Sequence, residues 1–203
     1  MGSKMDGDEE VLYFAYGSNL SSTQMQERCP WSSPIGLGYL PGWTWLINER
    51  GYANVVQQDP EPHLPPPTPT SLVSLSPLTL PEGAQTVENK ETEGLYGVLF
   101  SLDPVDQAPL DMCEGVPWAY EKRNLDVTLL PKQNTKFATK LEPKTVRALV
   151  YIDFKRVTPG KPKDEYIDRI NRGVEEATIK WNFPKSYVDV IIRPFIPEKR
   201  KET

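Results

Sequence analysis

The sequence contains little histidine and little cysteine. Its single histidine, His63, lies in a proline-rich stretch between Pro60 and Pro67, which favours a loop. Catalysis by a Ser/His or Cys/His pair needs an imidazole that the fold holds in place, so this class of mechanism is excluded. The two cysteines, Cys29 and Cys113, suit neither a disulfide framework nor a zinc site, and we interpret both as reduced, buried thiols. Acid–base chemistry therefore falls to carboxylate, lysine, tyrosine or cysteine side chains.

The sequence also lacks an excess of basic residues and a long apolar run. Lysine and arginine total 23 against 28 aspartate and glutamate residues, which gives a net charge of -5 and no electrostatic support for nucleic-acid binding. No apolar run approaches the roughly 18–20 residues that a membrane helix needs. Residues 1–10 are acidic, lack the apolar segment of a signal peptide and are predicted to be a disordered leader. We expect a cytoplasmic protein that binds neither nucleic acid nor membrane.

Proline, in contrast, is abundant, with 21 residues where the usual share of about 5% would give half as many. Many of them fall between residues 59 and 93, where Thr, Ser and Glu are also frequent. Such a segment buries too little apolar surface to offset the entropy of ordering it. A linker between two domains is one interpretation, but residues 11–58 are too few to fold alone. We therefore predict a single domain over residues 11–196, with a Pro-rich insertion at 59–93 and a charged tail at 197–203.

The rest of the chain shows strand and helix patterns in no regular alternation. Apolar runs and period-2 patterns predict strands near residues 11–16, 35–40, 43–48, 53–56, 95–102, 120–130 and 146–154. Capping and helical spacing predict helices after residue 20, over residues 104–114 and 163–181, and after residue 184. This order predicts an α+β fold of about six or seven strands, which could close into a small mixed β-barrel flanked by a few helices.

A strand that ends in a tight turn is the first candidate site. Residues 11–14 are aliphatic or aromatic, Gly17 permits unusual backbone angles, and Ser18 and Asn19 are typical turn residues that precede a helix. A turn of this kind can direct backbone N–H groups toward an anion. Turn chemistry alone favours the simpler interpretation, a plain strand-to-helix connection.

Glu114 is the second candidate. It ends a predicted helix before Gly115 and stands in sequence beside Met112, Cys113, Val116 and Trp118. An apolar environment disfavours a carboxylate and raises its pKa toward the range of a general acid–base. Spacing alone is equally typical of a surface glutamate before a helix-ending glycine.

Two strings, supported by two weaker matches, resemble the γ-glutamylcyclotransferase family. Tyr-Phe-Ala-Tyr-Gly-Ser-Asn-Leu at residues 13–20 is similar to the family's first signature, and Leu-Asp-Met-Cys-Glu-Gly-Val at 110–116, followed by Tyr120, is similar to its second. Weaker matches are a tyrosine that opens a helix at 166–173 and the string at 51–55. The resemblance covers residues 11–58 and 94–192. The Pro-rich insertion departs from the family pattern and resembles fungal members.

The resemblance implies an enzyme that needs neither cofactor nor metal and releases 5-oxoproline from γ-glutamyl amino acids or peptides. In such a reaction the substrate's α-amine attacks its own γ-carbonyl. Glu114 then falls on the family's catalytic glutamate, acting as general acid and base. The implied substrate-binding residues are the loop and two tyrosines of the pocket: Tyr16, Gly17, Ser18, Asn19, Leu20, Tyr120 and Tyr166.

Two alternatives stay open at this point. The same chemistry could act on a γ-glutamyl, glutathione-derived adduct in fungal secondary metabolism, with the insertion as a lid over a larger leaving group. The fold could instead serve a non-catalytic module that binds a small molecule or a partner. The expected partner is a small-molecule γ-glutamyl substrate, and the expected state is a monomer or homodimer.

Overall fold

The computed structural model describes residues 11–58, 93–131 and 142–198. The predicted leader, nearly all of the predicted insertion with His63, and residues 199–203 of the predicted tail lie outside these ranges. The predictions of a disordered leader, of an insertion within one domain and of a charged tail therefore stay predictions. No helix of the described part is both long and apolar enough to cross a membrane.

Seven strands and four helices occur in the described residues. The strands are β1 (Val11–Ala15), β2 (Ser33–Pro41), β3 (Trp43–Ile47), β4 (Ala53–Gln57), β5 (Gly94–Leu102), β6 (Glu121–Leu129) and β7 (Lys144–Ile152). The helices are α1 (Ser22–Arg28), α2 (Pro104–Glu114), α3 (Asp164–Trp181) and α4 (Lys185–Tyr187), the last followed by a π-helical turn over Val188–Ile192.

Five strands close into a barrel in the order β1-β5-β2-β6-β7. Neighbours are antiparallel, except where β7 meets β1 in parallel with Leu149 opposite Tyr13. The predicted α+β fold with a small mixed barrel and a few flanking helices is confirmed. The other two strands, β3 and β4, form a separate antiparallel hairpin outside the barrel.

Apolar strand residues fill the core, as their patterns predict. The near-continuous apolar run of β5 is central, and Leu95, Val98, Leu99 and Phe100 are fully buried. The prediction for β7 was wrong in detail. Its last five residues are all buried instead of alternating, because Tyr151 contacts α2 and β4 packs against the same strand. Phe154, the predicted end of the strand, lies beyond it and is exposed.

Helix α3 follows its predicted bounds and brings residues toward the start of the chain. Its buried face recurs at helical spacing, and Asn182 ends it in the left-handed conformation at φ 54. Gly173 allows close packing against the turn after β1. A Cβ there would lie 3.1 Å from the Leu20 Cβ and 3.2 Å from the Ser21 nitrogen. This close approach places the middle of α3 beside the turn that follows β1.

Candidate active site

The turn after β1 is built from its own backbone and capped by serine. Residues Ser18–Leu20 form a single 3-10 turn, in which the Leu20 N–H donates to the Gly17 carbonyl at 3.0 Å. The Ser21 side chain caps α1 by accepting from the Gln24 N–H. An anion bound at this turn could therefore contact the backbone N–H groups of Gly17, Ser18 and Asn19. It could not contact that of Leu20, which already donates within the turn.

Glu114 lies directly beside this turn, although 95 positions of sequence separate it from Asn19. The Asn19 amide Nδ2 donates to Glu114 Oε1 at 2.9 Å and to the Tyr13 hydroxyl at 2.9 Å. Helix α2 begins with Asp103 as its cap and Pro104 in its first turn, and it ends at Gly115 with φ +66. The two stretches that the sequence singles out therefore meet at one hydrogen bond.

Three of the four predicted apolar neighbours of Glu114 are exposed instead of packed around it. Met112 and Trp118 are more than four-fifths exposed, at 83% and 82%, and Cys113 is exposed as well. The prediction of two buried thiols is therefore right for Cys29 and wrong for Cys113. The helical periodicity of α2 explains the exposure of Met112 and Cys113, because residues adjacent in sequence point to different sides of a helix. Trp118 lies beyond the end of this helix.

Five tyrosines instead line a cavity together with Glu114: Tyr13, Tyr16, Tyr120, Tyr151 and Tyr166. Burial raises the pKa of Glu114 above the ordinary value, and the positive charges nearby, with Arg28 first, and the Asn19 hydrogen bond oppose that rise without cancelling it. The carboxyl also stands at the C-terminal end of α2, where the helix dipole disfavours negative charge. The group is thus displaced toward the protonation range of a general acid–base.

Two cavities meet at Glu114. The inner cavity is narrow, at about 30 Å³, and is lined by Tyr13, Tyr16, Gly17, Ser18, Asn19, Ala53, Glu114, Tyr120, Tyr151 and Tyr166. The outer cavity is wider, at about 200 Å³, and is lined by Ser18, Arg28, Arg50, Tyr52, Cys113, Glu114, Gly115, Tyr120, Tyr166 and Arg169. The two share Ser18, Glu114, Tyr120 and Tyr166, so a ligand that reaches Glu114 can extend from one into the other.

The predicted pocket tyrosines all line the inner cavity, but two have their hydroxyl protons committed. Tyr16 donates to the Tyr151 carbonyl, and Tyr120 donates to the Ala53 carbonyl at 2.7 Å. The Tyr166 hydroxyl lies against Gly17, where a Cβ would approach it to 2.9 Å. Burial raises the pKa of Tyr166 to about 12, so its hydroxyl stays protonated near neutral pH. These side chains shape the cavity, and none of these three is set up as a base.

A polar network holds the turn in place. Gln24 Nε2 donates to Asn19 Oδ1 at 2.7 Å and to Ser18 Oγ at 2.9 Å. Arg28 Nη1 donates to the same Asn19 oxygen at 3.0 Å, and Arg169 Nη2 donates to Ser18 Oγ at 2.8 Å. Both amide atoms of Asn19 are therefore engaged, which fixes the side chain that reaches Glu114.

Sequence reasoning missed the three arginines of the outer cavity. Arg169 stands three positions after Tyr166 on α3, a spacing that puts both on one helix face and could have been used. Arg28 and Arg50 carry no such signal, since a basic residue at a helix end or in a turn is ordinary. Tyr13 and Tyr151 were likewise not assigned to the site. No group of three or more His, Cys, Asp or Glu side chains that could hold a metal occurs in the described ranges.

Three solved structures share this fold. A γ-glutamyl cyclotransferase aligns with a TM-score of 0.62 and 17% identity over 96% of this chain and 93% of its own. An uncharacterized human protein aligns at 0.59 and 18%, over 97% and 92%. YkqA from Bacillus subtilis aligns at 0.59 and 16%, over 95% of this chain and 57% of its own.

Sequence comparison adds no relative, because no family model and no curated protein matches the chain. At these sequence identities the structural likeness establishes the fold of the chain. The chemistry of the chain has to be inferred from the residues of the site. The chain has the γ-glutamylcyclotransferase-like fold.

Proposed function

We propose that the protein is a γ-glutamylcyclotransferase that converts γ-glutamyl amino acids or peptides into 5-oxoproline and a free amine. Glu114 is its general acid and base. The observation that carries the proposal is the hydrogen bond from Asn19 to Glu114, which holds a carboxyl of raised pKa against the turn after β1. One solved structure with the same fold is that of a γ-glutamyl cyclotransferase, which supports this proposal.

The reaction is an intramolecular aminolysis, so a curled substrate already contains both reacting groups. Ionised Glu114 takes one proton from the substrate ammonium, and the freed amine forms a bond to the γ-carbonyl carbon. Protonated Glu114 returns that proton to the leaving nitrogen as its bond to the carbon breaks. The remaining excess proton of the ring nitrogen passes through the same carboxyl to the departing amine. The products are 5-oxoproline and a protonated amine.

The turn supplies the fixed dipoles in this proposal. The backbone N–H groups of Gly17, Ser18 and Asn19 bind the substrate's α-carboxylate or the oxyanion that develops on its carbonyl. The tyrosines keep water out of the inner cavity and confine the glutamyl chain to a folded shape. Because Tyr16 and Tyr120 already donate to backbone carbonyls, the cavity keeps its shape before a substrate arrives.

The decisive experiment replaces Glu114 with glutamine, which keeps its size and its ability to accept from Asn19. We expect Glu114→Gln to fold and to release 5-oxoproline at least about 100-fold more slowly than the unmodified protein, since it cannot transfer protons. The measurement is chromatographic quantification of 5-oxoproline from a panel of γ-glutamyl amino acids, glutathione and γ-glutamyl amines. Glu175→Gln, an exposed change on α3, is the matched control.

Unaltered turnover by Glu114→Gln would refute the role of the carboxyl. If the unmodified protein binds γ-glutamyl compounds in calorimetry without turning over any of them, the fold serves a binding module instead of an enzyme. If only bulky thioether adducts of glutathione are turned over, the same chemistry belongs to secondary metabolism.

A further inference from the structure

The outer cavity carries more positive than negative charge. Three arginines line it, Arg28, Arg50 and Arg169, against a single carboxyl, Glu114. The raised pKa of that carboxyl reduces its share of negative charge further. Such a cavity attracts an anion, and its low-dielectric tyrosine walls strengthen the attraction.

Two of the three arginines already have acceptors. Arg28 donates to Asn19 Oδ1, and Arg169 donates to Ser18 Oγ at 2.8 Å and to Gln24 Oε1 at 3.1 Å. Both therefore hold the turn after β1 in place. Their hydrogen bonds account for their position without any ligand.

Arg50 differs from the other two. Its Nη1 atom is buried, yet no side chain or backbone group of the described residues accepts a hydrogen bond from it. The guanidinium carbon lies over two aromatic rings, 5.5 Å from the Tyr52 ring centre and 5.7 Å from that of Tyr120. An unpaired buried donor of a charged group is costly, so its presence at a cavity wall indicates an acceptor that arrives from outside.

The turn that carries Arg50 is fixed, so the side chain is positioned in advance. The Arg50 N–H donates to Asn48 Oδ1 at 3.0 Å, and the Gly51 N–H donates to the Asn48 carbonyl at 2.9 Å. Asn48 in turn is buried and donates to Asp153 at 3.2 Å. A guanidinium carries its N–H donors along the edge of its plane, where a carboxylate can pair with two of them at once.

We infer that Arg50 binds a carboxylate of the leaving group, so that the substrates are γ-glutamyl amino acids or peptides in preference to γ-glutamyl amines. This inference rests on the proposed function. The inner cavity at Glu114 is narrow, so the part of the substrate beyond the γ-carbonyl lies in the outer cavity, where Arg50 stands. The acceptor that Arg50 lacks is then the carboxylate of the departing amino acid.

The test compares γ-glutamylalanine with γ-glutamylethylamine, which differ only by the leaving-group carboxylate. We expect the unmodified protein to prefer γ-glutamylalanine by at least about tenfold in kcat/KM, the value of a charged hydrogen bond. Arg50→Gln should lower kcat/KM for γ-glutamylalanine at least about tenfold more than it lowers kcat/KM for γ-glutamylethylamine, because only the first substrate carries the carboxylate. Arg147→Gln, an exposed change on β7, should alter neither value.

Equal loss on both substrates by folded Arg50→Gln would overturn the inference, as would an absence of preference in the unmodified protein. Arg50→Lys addresses folding, because it keeps the charge and should retain part of the preference without the planar fork. Circular dichroism and thermal melting check that each variant is folded.

A calorimetric arm separates this inference from the proposed function. γ-Glutamylalanine and γ-glutamylethylamine are titrated into Glu114→Gln, with and without Arg50→Gln. If turnover is absent altogether, the proposed function fails, and the same titration of the unmodified protein decides the inference. Tighter binding of γ-glutamylalanine that Arg50→Gln abolishes supports a carboxylate site, and equal binding of the two compounds refutes it.

Discussion

At the scale of single residues, Glu114 is held between opposing influences. Burial among tyrosines favours its neutral form, while nearby arginines and the Asn19 amide favour the charged form. The net result is a pKa raised above the ordinary 4.5. Protonation of the folded state therefore continues at pH values where the unfolded chain has already lost this proton.

This linkage predicts how Glu114→Gln changes stability with pH. Because the folded state binds the extra proton, the free energy of unfolding falls as pH rises from about 4.5 through the raised pKa, by at most about 1.4 kcal/mol per pH unit. The glutamine variant lacks this loss. We expect the melting temperatures of Glu114→Gln and the unmodified protein to be equal near pH 4. At pH values above the raised pKa, the variant should melt at the higher temperature, as measured by calorimetry. A difference that stays constant with pH would contradict the raised pKa.

Arg50 illustrates what the sequence could not indicate about the site. The loop and Glu114 were predicted because their strings are distinctive, and the structure places them in contact. Arg50 precedes Gly51 in a turn, where a basic residue is ordinary. Its importance arises from its place beside Tyr120, which the fold brings to it from 70 positions away and which no local pattern connects with it.

At the scale of elements, Glu176 joins α3 to the start of α1. Its carboxylate accepts from the Ser21 hydroxyl at 2.7 Å, from the Thr23 N–H at 3.1 Å and from Lys180 at 3.0 Å. Burial opposes its ionisation, but these hydrogen bonds outweigh burial and lower the pKa of Glu176 to about 2. The carboxylate thus stabilises the N-terminus of α1, one residue beyond the turn that reaches Glu114.

We expect Glu176→Gln to destabilise the protein by about 1–3 kcal/mol at neutral pH, because it removes the charge from three hydrogen bonds. The sign follows from the lowered pKa. The contribution of ionised Glu176 to stability is fully present above about pH 4.5, the ordinary pKa, and is lost as pH falls toward 2. Denaturant titrations at pH 7 and pH 3 should therefore show a larger deficit at pH 7. Glu175→Gln, its exposed neighbour on α3, provides the control and should show little deficit at either pH.

The elements themselves were largely predictable, and their arrangement was less so. The α3 bounds and the cap of α2 follow from spacing and from Asp103-Pro104, which act locally. The position of β3 and β4 does not follow from such local signals. Their alternation predicts strands equally well inside or outside the barrel, and only packing decides that they form a separate hairpin.

At the scale of the whole molecule, the two residues that flank residues 59–92 meet at one glycine. The Gln58 N–H donates to the Gly42 carbonyl at 2.9 Å, and the Gly42 N–H donates to the Glu93 carbonyl at 2.8 Å. Gly42 has φ +73, which opens the tight connection between β2 and β3. The chain therefore leaves the described structure and returns to it at nearly the same point.

Because these ends are adjacent, we expect a four-residue Gly/Ser linker to replace residues 59–92 without loss of the fold. Loop closure free energy changes slowly with length, so the melting temperature should move by only a few degrees. Circular dichroism, thermal melting and turnover of γ-glutamylalanine are the measurements. A non-cooperative melt would show that these residues contribute to the core. Selective loss of activity on bulky adducts would support the interpretation as a lid.

The parallel contact between β1 and β7 has a consequence for how the protein is made. Tyr16 reaches Tyr151 across 135 positions of sequence, and Ser18 reaches Arg169 across 151. A chain synthesised from its N-terminus presents the turn after β1 to the solvent long before the residues that enclose it leave the ribosome. Contacts so distant in sequence form late in folding. Turnover in a translation reaction should therefore lag behind the synthesis of β1 to β6 and begin only with chains that contain both β7 and α3.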